Sequence, residues 1–113
     1  MVLFSKDSYL IDSNWNSPYL VLWHKTDIKR DASIMVQADG IWSIAKNLTN
    51  AKFNWKFDYV DLSMFKGKEI NIQFIAAGQN VGGTKLKGSG SVTSSPSYWY
   101  IQDIQILPDF TPP

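Results

Sequence analysis

The amino-acid sequence predicts an all-β protein, an antiparallel β-sandwich of jelly-roll type, from three observations. Apolar residues recur with a period of two in several short runs, a spacing that lines one face of a strand but scatters around a helix. Gly, Pro, Asn and Asp separate those runs at intervals of about ten residues, as strands of a sandwich require. Aromatic residues make up 14% of the chain, with five Trp, five Tyr and six Phe. Such rings are large enough to fill the space between two sheets, and flat enough to stack on sugars or peptides.

The elements follow in order. "YLVLWHK", residues 19–25, comes directly after Ser17-Pro18, and a continuous apolar run of this length fits a strand buried on both faces. In "SIMVQAD", residues 33–39, Ile34, Val36 and Ala38 alternate with Met35 and Gln37. Asp39-Gly40 then precedes "IWSIAKN", which marks a hairpin closed by a tight turn. "KFNWKFDYVDL", residues 52–62, sets Phe53, Trp55, Phe57 and Tyr59 at odd positions against Asn54, Lys56 and Asp58 at even ones. After a turn centred on Gly67, "INIQFIAAG", residues 70–78, is another alternating strand. Residues 79–96, "QNVGGTKLKGSGSVTSSP", are rich in Gly and Ser and read as one long polar loop, a feature that in a compact domain usually carries function. The closing strand is "SYWYIQDIQILP", residues 97–108. Strict alternation puts Tyr98, Tyr100, Ile104 and Ile106 on the core face and leaves Trp99 on the opposite one. Prolines at 108, 112 and 113 end the ladder.

At 113 residues the chain has the size of one domain, spanning 1–113. Eleven Lys and Arg against ten Asp and Glu give a net charge of +1, spread along the chain, whereas nucleic-acid binding needs a basic patch facing phosphates. No segment has the length and apolarity of a membrane span, and the apolar part of the N-terminus is too short for a signal peptide. The absence of cysteine removes disulfides, thiolate chemistry and Cys-based zinc sites.

Several segments share an order with a known kind of module. These are Ser17 and Pro18 heading a strand, Asp31 leading the next, Asp39 to Trp42 at its turn, Val60 to Ser63 with Gly67 and Lys68, Ile70 to Phe74, and the closing Trp99 to Ile104. The order resembles the jelly-roll modules of the cleaved-adhesin and MAM-like type, found beside secreted bacterial peptidases and in surface proteins. The resemblance implies an extracellular or cell-surface setting within a larger secreted protein or assembly. It also implies calcium bound by loop aspartates, for which Asp27, Asp31, Asp39 and Asp103 are the hard oxygen donors available. Gln102 stands where the family has the first Asp of its closing motif, and the short lead before Ser17 implies a minimal version of the module.

An enzyme is not expected. The single histidine, His24, reads as a partly exposed residue at a strand end, and one histidine without cysteine is a poor basis for nucleophilic or zinc catalysis. The acid pairs Asp27 with Asp31 and Asp58 with Asp61 read equally well as solvated loop acids. For ligand stacking, Trp15 in "DSNWNSP" is surrounded by turn formers and is either a hydrophobic plug or an exposed platform. Trp42, just after the Asp-Gly turn, presents the same choice, whereas Trp55 in its alternating strand is expected in the core. Asn14 and Asn16 beside Trp15, and Asp39 beside Trp42, supply polar groups for sugar hydroxyls, and Trp99 is a further ring free to cover a ligand. The sequence thus points to a non-catalytic extracellular binding module for carbohydrate or a protein surface. The alternative is a structural or assembly domain of a surface or virion protein, with no small-molecule ligand.

Overall fold

Asp39 and Gly40 form the expected tight turn, with φ of 54° and 77°, a left-handed pair that suits the twist of a two-residue hairpin. In the computed structural model, which describes residues 8–29, 31–76, 79–80, 90–94 and 97–113, this turn joins β3 (Ala32–Ala38) to β4 (Ile41–Asn47). A Cβ at Gly40 would meet nothing within 4 Å. Gly40→Ala is therefore expected to cost about 1 kcal/mol through backbone strain alone, read as a lowered urea midpoint with an unchanged slope.

The remaining strands are β1 (Tyr9–Ile11), β2 (Tyr19–Asp27), β5 (Lys52–Asp61), β6 (Lys68–Ala76), β7 (Gln79–Asn80), β8 (Gly90–Ser94) and β9 (Ser97–Leu107), with a 3-10 turn at Ser63–Phe65. They form two antiparallel sheets, one ordered β1-β6-β3-β4 with β7 beside β6, the other ordered β5-β2-β9-β8. β1 was not expected; it adds an edge to the first sheet by pairing Tyr9 with Ile70. Within residues 79–96, expected as one loop, β7 and β8 are strands, and the rest lies outside the described residues. Ile34, Val36, Ile70, Ile72 and Phe74 of the first sheet join Leu20, Leu22, Trp99, Ile101 and Ile104 of the second in one buried cluster. Burying each of these aliphatic chains contributes about 1.5–3 kcal/mol, and the shared cluster makes the arrangement β-sandwich-like.

Three register shifts decide which residues face that core. In β9, Gln105 pairs with Val21 but Gln102 pairs with Trp23, so one extra residue opposes Leu22. Asp103 takes up the excess with φ of 56°, a left-handed conformation that Asp tolerates better than most residues. The bulge reverses the alternation: Trp99 and Ile101 are buried ahead of it, Ile104 after it. The expectation for the closing strand is therefore corrected, because Trp99 is 0% exposed and Tyr100 is 38% exposed. In β4, Lys46 pairs with Ile34 while Ile44 pairs with Met35, and the extra Ala45 brings Lys46 to the core side. In β5, His24 pairs with Lys56 but Thr26 pairs with Phe53, so half-buried Phe53 reaches the core from an odd position while Asp58, Val60 and Leu62 reach it from even ones. The period of two is broken by this bulge and holds from Trp55 to Val60, where the aromatic face at Trp55, Phe57 and Tyr59 turns away from the core.

Candidate functional site: an aromatic outer face

Burial of a charged carboxylate needs partners, and Asp58, only 6% exposed, has three. His24 Nε2 donates to its Oδ2 at 3.0 Å, Lys46 Nζ to its Oδ1 at 2.6 Å, and the Tyr59 N–H to Oδ1 at 2.9 Å. Burial alone pushes this carboxyl up, but the hydrogen bonds from His24, Lys46 and the Tyr59 N–H, with the Lys46 charge, hold it well below the usual carboxylate range. Trp99 Nε1 donates to His24 Nδ1 at 3.2 Å. An indole N–H only donates, so Nδ1 accepts and the ring proton sits on Nε2. His24 is thus a fully buried mid-strand residue, not the strand-end one expected. Both of its nitrogens are engaged, leaving none in this arrangement to act as a base. The chain Trp99–His24–Asp58–Lys46 ties β9, β2 and β5 of the second sheet to β4 of the first.

Because even positions of β2 carry the buried Leu20, Leu22, His24 and Thr26, the odd positions Tyr19, Trp23 and Lys25 line the outer surface of the second sheet. Phe57 and Tyr59 of β5 flank them across the register. One half of this surface is capped. Ser17 N–H donates to the Pro108 carbonyl at 3.1 Å and Phe110 N–H to the Ser17 carbonyl at 3.0 Å. These bonds place the Phe110 ring 5.3 Å from Tyr19 and 5.7 Å from both Phe57 and Tyr59. The other half stays open. There Trp23, 43% exposed, and Trp55, 41% exposed, line a shallow depression of about 280 Å³ together with Gln102 and Asp103. Trp23 is steadied from one side by Phe57, edge-on at 5.5 Å. Neither indole N–H, nor the Gln102 amide, nor the Asp103 carboxylate bonds a side chain or backbone among the described residues. Two flat apolar rings beside uncommitted donors and acceptors form a surface able to hold a polar ligand that has apolar faces.

The residues expected to bind a ligand do not meet at one place. Trp15 is half-buried against the core, which makes it the plug of the two readings. Its turn is held by Asp12, whose Oδ1 accepts from Asn14 N–H at 2.8 Å, and Asn14 and Asn16 are exposed beside it. Trp42 lies on the edge strand β4 of the other sheet, across from Gln37, and Asp39 is paired with Lys68 at 2.8 Å. Trp99 covers no ligand, being enclosed in the core. The proposed calcium ligands also diverge. Asp27 faces Tyr98, whereas Asp103 stands beside the Leu22 bulge, five residues or about 17 Å away along β2. Asp27 is met by Lys29 at 3.3 Å, and Asp31 is an exposed residue in a second depression, of about 410 Å³, with Asn47, Thr49 and Ile75. No three His, Cys, Asp or Glu side chains converge on a cation position among the described residues, so Asp27, Asp31 and Asp103 do not fit one ion. Compared with known proteins, the chain matches no family model, no curated protein and no solved structure.

Of the residues that form the open face, Trp23 was visible as a ring within an apolar strand, and Trp55 was assigned to the core. The signal that would have placed Trp55 outside is Asp58: a core-side acid three positions on, with His24 as its only possible imidazole partner.

Proposed function

We propose that the chain is a non-catalytic, extracellular binding module with a jelly-roll sandwich, and that it takes carbohydrate on the open half of the second sheet's outer face. One observation carries this reading: two indoles, each about two-fifths exposed, stand beside Gln102 and Asp103 with their polar groups uncommitted. A pyranose offers an apolar C–H face to an indole and hydroxyls to amide and carboxylate groups. The order of segments shared with secreted adhesin-type modules supports the extracellular setting. Trp23, Trp55, Gln102 and Asp103 replace Trp15, Trp42 and Trp99 as the binding residues.

The test is a glycan array followed by affinity electrophoresis on soluble polysaccharides. Wild-type protein is expected to bind, and Trp23→Ala and Trp55→Ala each to weaken binding by about 10- to 100-fold, or roughly 1.4–2.8 kcal/mol. Both rings are part-exposed, so the variants should melt within a few degrees of wild type. Absence of binding to every glycan, or unaltered binding by both variants, defeats the reading.

A second reading has its own observation. On the edge strand β4, Ile41 is 71% and Ile44 is 60% exposed, and an edge carrying large apolar residues invites pairing. This favours a structural role in which a neighbouring domain covers β4. A stable complex with such a domain, combined with a blank glycan array, would select it.

A further inference from the structure

We infer that the open face holds a second subsite, formed by Tyr98, Tyr100 and Lys25, so that the ligand is an extended, flat, β-linked glycan chain in place of a single terminal sugar. The inference rests on the carbohydrate reading above. The Tyr98 and Tyr100 rings lie 5.4 Å apart with planes inclined by 34°, a separation at which they stack on each other with an offset, so the pair stands as one aromatic block of which Tyr100, 38% exposed, is the more open ring. Lys25 pairs with Tyr100 across the register, and its Nζ sits 5.9 Å from the centre of the Tyr98 ring. No carboxylate is ion-paired with Lys25 among the described residues, Asp27 on the same strand face being met by Lys29. Its ammonium lies over the face of Tyr98 and is a donor next to the more exposed Tyr100 ring, a ring and a polar group side by side as at Trp23 with Gln102.

Register sets the length of the site. Trp23 faces Gln102, while Tyr100 and Tyr98 follow on the same face of β9. Side chains on one strand face repeat at about 6.6 Å, so the row from Gln102 to Tyr98 extends roughly 13 Å, beyond the reach of any monosaccharide. Pyranoses with equatorial substituents present flat C–H faces, and a β-linked chain of them is a ribbon. A ribbon suits a shallow face with rings in a row, whereas a chain end suits a deep enclosed pocket.

Calorimetric titration with β-1,4-linked gluco-oligosaccharides and β-1,4-linked N-acetylgluco-oligosaccharides, from disaccharide to hexasaccharide, tests the inference. Affinity is expected to rise about tenfold or more with length. Tyr100→Ala should abolish that gain while leaving disaccharide binding intact, and Trp23→Ala should weaken every length. Affinity independent of length, or a Tyr100→Ala variant that keeps the gain, overturns the second subsite and leaves binding at Trp23 and Trp55 standing. If neither series binds but another glycan on the array does, the flat-ribbon ligand is overturned; if no saccharide binds at all, the carbohydrate reading falls with it.

Discussion

Trp99→Ala is expected to cost about 4 kcal/mol of folding stability, more than the replacement of any other aromatic residue among those described. The ring is 0% exposed, meets Phe74 edge-on at 5.9 Å and bridges the sheets at the centre of the buried cluster. Its removal leaves a cavity that two hydrogen-bonded sheets cannot readily close. It also takes away the only donor to His24 Nδ1 among the described residues, stranding a buried acceptor. Trp99→Phe separates the two losses, since it restores most of the packing but not the N–H. Its expected cost is about 2 kcal/mol, within the range for an unpaired buried polar group. Urea unfolding followed by far-ultraviolet circular dichroism measures both. A loss below about 1 kcal/mol for Trp99→Ala would mean that the ring is not part of the core.

The residues around Trp99 also show what the sequence could and could not convey. The β3–β4 hairpin was legible because its determinant is local: Asp39-Gly40 dictates a left-handed turn whatever surrounds it. The period of two from Trp55 to Val60 in β5 was legible for the same reason, whereas its break between Phe53 and Lys56 was not. Which face of β5 looks inward was not, because the aromatic face is the apolar one in composition and the inward face carries Asp58. Besides the neighbouring Tyr59 N–H, the partners that make that acid tolerable inside, His24 and Lys46, are distant in sequence. In β9 the phase change was written in the chain. Trp99 and Ile101 are odd, Ile104 and Ile106 even, with Gln102-Asp103 between, and a bulge reconciles them where strict alternation misplaces every ring. The open site was hidden by the same two errors, since Trp55 and Tyr100 were assigned inward while Trp99 was turned out.

Asp58→Ala is expected to destabilise the fold by about 3–5 kcal/mol, the usual cost of removing one partner from a buried charged pair. The loss falls mainly on His24, which is 0% exposed and whose Nε2–H has no other acceptor among the described residues, while Lys46 is about one-third exposed and can turn outward. Asp58→Asn keeps the shape and an acceptor for His24 but sets an amide or a neutral oxygen against the Lys46 ammonium, so its cost at neutral pH should be smaller, about 2 kcal/mol. The two proteins should also differ in how they respond to acid. The native carboxyl of Asp58 is held below its usual range, so the unfolded chain takes up the proton first. Its stabilising contribution is therefore complete above about pH 4, near the unfolded pKa, and is lost progressively as the pH falls toward the lower folded value. Asparagine carries no such proton. The stability gap between wild type and Asp58→Asn, measured by urea unfolding from neutral pH to about pH 3, should hold steady above about pH 5 and narrow below about pH 4. A gap that stays constant over the whole range would mean that Asp58 does not enter the folded state as a paired carboxylate, and the tie between the two sheets would then have to rest on packing alone.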